Sequence, residues 1–80
     1  MKFCFGDIVV VRGNLIGVVV KSWIRYISGE RDAVHEYEVY VRLSGDIKVF
    51  REEDIQRYMV RHKLLDEQEM AWQRNAVEGL

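Results

Sequence analysis

Two runs of β-branched residues near the amino terminus constrain the fold more than any other feature of the chain. The first run is Ile8–Val11, and the second, interrupted only by a glycine, is Ile16–Val20. Gly13 and Asn14 lie between them, and both residue types readily adopt the positive φ angles that a tight hairpin turn requires. Because β-branched side chains suit a pleated surface, the sequence predicts a β-hairpin here and a small β-structure around it.

Further strands are indicated by alternation of apolar and polar residues and by the turns between them. Residues 35–43 alternate most cleanly, which predicts a strand with one buried face. Residues 28–33 and 44–46 are polar and contain glycine, so we expect loops there. The acidic residues 52–54 predict a single helical turn, because negative charge is favourable in a first turn. The expected strands are 7–12, 16–26, 35–43, 47–50 and 55–60.

A helix is predicted from 63 to 78, where the apolar period changes. One helical stripe, at 100° per residue, comprises Leu64, Leu65, Gln68, Ala71, Trp72, Asn75 and Ala76, whereas Asp66, Glu69, Gln73 and Arg74 fall mostly opposite. The first strand is apolar on both faces, so its outer face needs a cover. We expect the helix, with Leu65 and Trp72 leading, to cover it. A second copy of the chain, in a homodimer, is the alternative.

Length and composition bound the class of protein. Eighty residues predict one domain spanning 1–80, and a formal net charge of −1 lacks the basic excess usual in proteins that bind phosphate backbones. No apolar run approaches the ~20 residues that a bilayer requires, and no signal-peptide pattern follows Met1. A single cysteine, Cys4, is compatible with a reducing compartment. We therefore expect a cytoplasmic protein with no membrane contact.

The sequence predicts no catalytic or metal centre. His35 and His62 are far apart in the chain, and Cys4 has no second cysteine. We interpret these residues as a buried thiol and two surface imidazoles. Gly13 and Gly17, like Gly6, have the pattern of turn and close-approach positions in β-structure, since no phosphate-binding motif follows them. We expect no enzyme activity, no cofactor and no bound metal.

The best candidate for binding is the outward face of the long second and third strands. If Trp23 lies opposite Glu38, then Arg25 faces Glu36 as an ion pair and Lys21 faces Tyr40. A mixed aromatic and basic patch of this kind typically contacts a partner protein or stacks nucleic-acid bases. The alternative is that Trp23 packs beneath the carboxy-terminal helix. The predicted partner-binding residues are Trp23, Tyr40, Lys21, Arg25 and Arg42.

A second basic cluster lies at the junction between the last strand and the helix. It consists of Arg57, Arg61 and Lys63, interleaved with Tyr58 and His62. These residues are the alternative candidates for nucleic-acid contacts, through phosphates. An ordinary solvated surface explains them equally well as a pattern of charge.

Four short motifs together resemble the SH3-like barrels. They are Gly6-Asp7-x-Val9-x-Val11, Gly17-Val-Val, Tyr37-x-Val-x-Val-x-Leu43 and Phe50-x-Glu-x-Asp54-Ile55. In pattern they are most similar to the SH3-like barrel of photosystem I, to the nitrile hydratase β-chain and to the KOW-type barrels of transcription and ribosomal proteins. Small prophage-encoded barrels also look similar. The likeness covers residues 5–60 and leaves the helix outside it.

This resemblance implies a mainly β fold, an SH3-like five-stranded barrel followed by a carboxy-terminal α-helix. It also implies a non-catalytic docking or accessory module that binds another protein. The KOW-type likeness implies weak nucleic-acid binding as the alternative function, although a typical KOW barrel is more basic than this chain.

Overall fold

The computed structural model describes residues 2–29, 31 and 33–78, with side chains up to Trp72. Its strands match the expected ones to within about two residues, except that the last strand ends at Arg57 instead of near Val60. Single 3-10 turns precede β5 and α1, at Glu52–Asp54 and Val60–His62. The elements are β1 Ile8–Val11, β2 Leu15–Arg25, β3 Val34–Val41, β4 Asp46–Arg51, β5 Ile55–Arg57 and α1 Lys63–Glu78.

The five strands form one antiparallel sheet in the order β4-β3-β2-β1-β5. Strands β1 to β4 pair with their neighbours in sequence, whereas β5 returns to β1 with Arg57 opposite Val9. The described strands leave the sheet open, with β4 and β5 at its edges. The expected mainly β class with a final helix is therefore confirmed, and a closed barrel is not.

The predicted β1–β2 turn is confirmed in detail. Gly13 and Asn14 both have positive φ angles, 92° and 60°. The Asn14 N–H donates a 3.0 Å hydrogen bond to the carbonyl oxygen of Val11. Gly17 is a close-approach position, because a Cβ there would lie 2.5 Å from Cγ1 of Val39 and 2.7 Å from the carbonyl oxygen of Tyr40.

The hydrophobic core lies on one side of the sheet, which we call the inner face. The Phe3 ring meets the Tyr37 ring edge to face at 5.5 Å between centroids. Because side chains alternate along a strand, Ile8 and Val10 of β1 point to the opposite, outer face. An irregularity between Val19 and Lys21 adds one residue to β2. The buried core comprises Phe3, Val9, Val11, Val19, Tyr37, Val39, Val41 and Ile55.

Helix α1 covers only one end of the outer face. Val10 and Ile16 are buried there, and Oε2 of Glu69 accepts a 3.0 Å hydrogen bond from the Ile16 N–H. Asp66 forms an ion pair with Arg42. The radius of gyration, 14.5 Å, exceeds the ~12 Å expected of a compact domain of this length. The molecule is elongated, with a longest extent of 50 Å.

The predicted orientation of α1 about its axis is wrong. Leu64 and Trp72 of the predicted buried stripe are exposed, whereas Glu69 of the opposite side is buried. The reason is polar: the Ile16 N–H and the Arg42 guanidinium lie where the β2–β3 pairing ends, and carboxylates from α1 satisfy them. The predictions for the side chains of Gln73, Arg74, Asn75 and Ala76 fall outside the described side chains.

The prediction that Cys4 is buried is also wrong, because its thiol is exposed. Phe3 enters the core, and the chain then turns tightly before β1. The Cys4 N–H donates to the Asp7 carboxylate at 2.9 Å, and the Asp7 N–H donates back to the Cys4 carbonyl at 3.0 Å. This turn holds the Cys4 backbone at the surface and directs its side chain to solvent.

Candidate interaction surface

A continuous line of apolar side chains crosses four strands on the outer face. Ile8 lies opposite Val18, Val18 opposite Tyr40, and Tyr40 opposite Ile47. We call these four residues the apolar row. Ile8 is 54% exposed, Tyr40 41% and Ile47 58%, while Val18 is half-buried. Single exposed apolar residues are ordinary on protein surfaces, but a contiguous set is characteristic of interaction sites.

A charged row runs beside the apolar row, towards the β2–β3 loop. Lys21 lies opposite Glu38, and Glu38 lies opposite Val49 of β4. Lys21 and Val49 are exposed, and Glu38 is half-buried. The outer face therefore presents an apolar centre next to one positive and one negative side chain.

Glu36 gathers the polar groups at the far end of this face. Its carboxylate, largely buried, accepts a 3.1 Å hydrogen bond from Nε1 of Trp23. It also pairs with Arg25, with Nε at 2.9 Å from Oε1. Trp23 is half-buried and Arg25 is exposed, so the aromatic ring is held at a fixed angle beside a directional cation.

The predicted β2–β3 register is wrong by two residues on β3. Trp23 lies opposite Glu36 instead of Glu38, and Lys21 lies opposite Glu38 instead of Tyr40. The actual register sets Val19 against Val39 in the core and Gly17 against Val41, which keeps all apolar residues of β3 on one face. The predicted ion pair between Arg25 and Glu36 nevertheless forms, as a diagonal contact across the two strands.

Four of the five predicted partner-binding residues share the outer face: Lys21, Trp23, Arg25 and Tyr40. Arg42 instead anchors α1, since its Nη2 lies 2.5 Å from Oδ1 of Asp66. The hydrogen bonds between α1 and the rest of the described chain involve Ile16, Arg42 and Tyr58, at the opposite end of β2 from Trp23. Among the described residues, Trp23 is therefore not packed beneath the helix.

The second basic cluster does not form one continuous patch. Arg57 follows Gln56 on β5, so these side chains point to opposite faces. The Arg57 guanidinium lies 5.9 Å from the Phe3 ring centroid and donates to the Lys2 carbonyl, whereas Arg61 donates to Gln56. Lys63 opens α1 beside Asp66 and Glu67, with which it lines a shallow depression.

A buried hydrogen-bonded cluster on the inner side was not foreseen from the sequence. The Tyr37 hydroxyl donates a 2.6 Å hydrogen bond to Oε2 of Glu52, and Nδ1 of His35 lies 4.0 Å from the same oxygen. Burial raises the pKa of Tyr37, and the bond to Glu52 raises it further. The same bond lowers the pKa of the Glu52 carboxyl. The available signal was a tyrosine at an apolar position of an alternating strand, because a buried phenol requires a partner.

A cleft of about 390 Å³ opens above this cluster, lined by Lys2, His35, Arg51, Glu52 and Glu53 among others. Both charge signs are mixed within it. In the described part of the chain, no group of three or more His, Cys, Asp and Glu side chains is placed to hold a metal ion. The cluster's visible role is to fasten β3, the turn after β4 and the amino-terminal segment together.

Comparisons of the chain with protein-family models, with curated proteins and with solved structures find no match. Within the residues that the structure describes, no helix has the length and apolar character needed to cross a membrane.

Proposed function

We propose that this protein is a non-catalytic interaction or accessory module that binds another protein through the outer face of its sheet, in the cytoplasm. The observation that carries the proposal is the apolar row, in which Ile8, Tyr40 and Ile47 are each more than 40% exposed on the outer face. Burying such a surface against a partner is favourable at roughly 25 cal/mol per Å² of apolar area.

The arrangement around the apolar row suits a protein partner. Interfaces commonly have an apolar, aromatic-rich centre and a charged rim. Tyr40 lies within the row, and Lys21 and Glu38 border it. Trp23 and Arg25 lie farther along the same face, and these residue types dominate binding hot spots. We assign Tyr40 and Trp23 as anchors, with Lys21 and Arg25 providing directional contacts at the rim.

We further propose that the sheet is of the SH3-like barrel type. Two features support this. The fifth strand returns to pair with the first, and the Tyr37–Glu52 hydrogen bond draws the turn after β4 back over the inner face. Both features bring the two edges of the sheet towards each other.

A charge-insertion pair tests the proposed surface. Ile47→Lys places a charge in the apolar row on an edge strand, where the monomer tolerates it. Val60→Lys is the control, because Val60 is 88% exposed and lies outside the sheet. In affinity capture from the native cell extract, we expect a partner that the wild type and Val60→Lys retain equally and that Ile47→Lys loses at least about tenfold, the effect of desolvating a charge at an interface. Equal capture by all three proteins would overturn the proposal.

The alternative, weak nucleic-acid binding through the outer face or through Arg57, Arg61 and Lys63, is tested with the same proteins. Fluorescence anisotropy with mixed oligonucleotides at low salt should show no binding. Binding that weakens steeply with rising salt and that Ile47→Lys leaves unchanged would replace the protein-binding proposal with this alternative.

A further inference from the structure

A second groove lies between α1 and the β1–β2 turn, away from the apolar row. It has a volume of about 290 Å³. Its walls are mainly apolar, and it shares no residue with the apolar row. The residues that line it include Leu15, Leu43, Leu65, Gln68, Glu69 and Trp72.

The groove contains a buried carboxylate that is only half satisfied. Glu69 is 5% exposed, and its Oε2 accepts the hydrogen bond from the Ile16 N–H. Its Oε1 is buried and has no hydrogen-bond partner among the described residues. Buried polar atoms in native proteins nearly always have a partner, and an unmatched buried charge is costly. A cation bound in the groove would supply the missing donor.

The available atoms indicate which cation fits. Since Oε2 is already engaged, Glu69 offers one oxygen, which suits the point charge of an ammonium better than the two-pronged donor of a guanidinium. The apolar walls suit an aliphatic stem. Trp72, 72% exposed, offers an indole surface at the groove for the stem or the charge. A lysine side chain combines these properties.

We propose that this groove binds a lysine side chain of a partner protein, with the stem against Leu15, Leu43 and Trp72 and the ammonium on Oε1 of Glu69. This is a binding site beyond the outer-face function, because a protein that contacts the apolar row need not reach it. Its test uses small analogues of the side chain, so the result does not depend on whether the apolar row binds anything.

The first test is an NMR titration of the full-length wild-type chain with n-pentylammonium, n-pentylguanidinium and n-pentanol. We expect pentylammonium to shift the signals of Leu15, Leu43, Leu65 and the Trp72 indole at a concentration about tenfold lower than pentanol, since a charge-assisted hydrogen bond contributes at least that much. Pentylguanidinium should be weaker than pentylammonium. Equal shifts with pentanol, or shifts spread over acidic residues elsewhere, would overturn the proposal.

Two matched variants locate the effect. Glu69→Gln keeps an oxygen for the Ile16 N–H and removes the charge, so it should reduce the advantage of pentylammonium over pentanol to about onefold. Glu67→Gln removes a charge from an exposed position of the same helix and should leave the advantage intact. If both variants lose it equally, the attraction is a general property of the acidic helix and the proposed site does not exist.

Discussion

The hydroxyl of Tyr37 lies 2.6 Å from Oε2 of Glu52, and this contact links the third strand to the turn that follows the fourth. The same oxygen of Tyr37 accepts hydrogen bonds from the backbone N–H groups of Lys2 and Phe3, at 3.2 and 3.4 Å. One phenol thus holds three segments of the chain together beneath the hydrophobic core.

This contact makes the stability of the fold depend on acid pH. The hydrogen bond from Tyr37 lowers the pKa of Glu52 below its ordinary value of 4.5. A carboxyl with a lower pKa in the folded than in the unfolded chain stabilises the fold above its unfolded pKa, and that stabilisation is lost as the pH falls through the folded pKa. Glu52→Gln should therefore show a smaller loss of unfolding free energy below pH 4.5 than the wild type, in urea denaturation at a series of pH values. Parallel slopes for the two proteins would contradict this.

The alkaline limb gives the complementary prediction for Tyr37. Its pKa is raised above 10.0 by burial and by the bond to Glu52, so the protonated phenol stabilises the fold below pH 10 and this contribution disappears as the pH rises through the raised pKa. Tyr37→Phe should cost about 1–3 kcal/mol at neutral pH, because three polar groups lose a partner. It should also remove the alkaline decline that wild type shows in the same denaturation series. A neutral-pH cost without that change in slope would assign the loss to packing alone.

Gly17 should not tolerate a side chain. An alanine Cβ there would meet Cγ1 of Val39 at 2.5 Å and the backbone carbonyl of Tyr40 at 2.7 Å, and the backbone atom cannot move without disturbing the β2–β3 pairing. We expect Gly17→Ala to lower the free energy of unfolding by about 1–3 kcal/mol, as overpacking does, measured by urea denaturation. Ser22→Ala, a half-buried position on the same strand, is the control and should change stability much less. Similar losses in both would mean that the sheet adjusts at Gly17.

The attachment of α1 should depend on Asp66. Its carboxylate pairs with Arg42 and accepts a 3.3 Å hydrogen bond from the hydroxyl of Tyr58. Removing the charge with Asp66→Asn should loosen the helix, and the amide of Ile16, covered by Glu69 one turn along, should then exchange its hydrogen up to about tenfold faster. Glu67→Gln is the control and should leave the rate unchanged. Unaltered Ile16 exchange in Asp66→Asn would show that other contacts hold the helix.

The strands could be predicted from the sequence because their signals are local. The β-branched runs, the Gly13–Asn14 turn and the alternation of 35–43 each depend on a few consecutive residues. The β2–β3 register could not be predicted, since it depends on one extra residue near Val20. The orientation of α1 failed for a related reason: apolar periodicity assumes that Leu64 and Trp72 turn inward, whereas unpaired polar groups at the end of β2 select Asp66 and Glu69.

The candidate surface was predicted only in part. Alternation correctly groups Lys21, Trp23 and Tyr40 on one face, because residues separated by two share a face of a strand. The apolar row could not be recognised, since it becomes continuous only when the register of four strands is known. The groove at Glu69 was likewise invisible, because it depends on a helix orientation that the sequence indicates wrongly.

The pairing of Val9 with Arg57 has a consequence for biosynthesis. The other strand pairs join neighbours, so three successive hairpins can assemble as residues 8–51 leave the ribosome. β1 then keeps one margin bare until Ile55 has been added, and its valines stay uncovered on that side. A bare, valine-rich margin is the kind of surface that draws nascent chains into aggregation. For most of its translation, this chain is an unfinished sheet whose earliest strand depends on one of the last segments to be made.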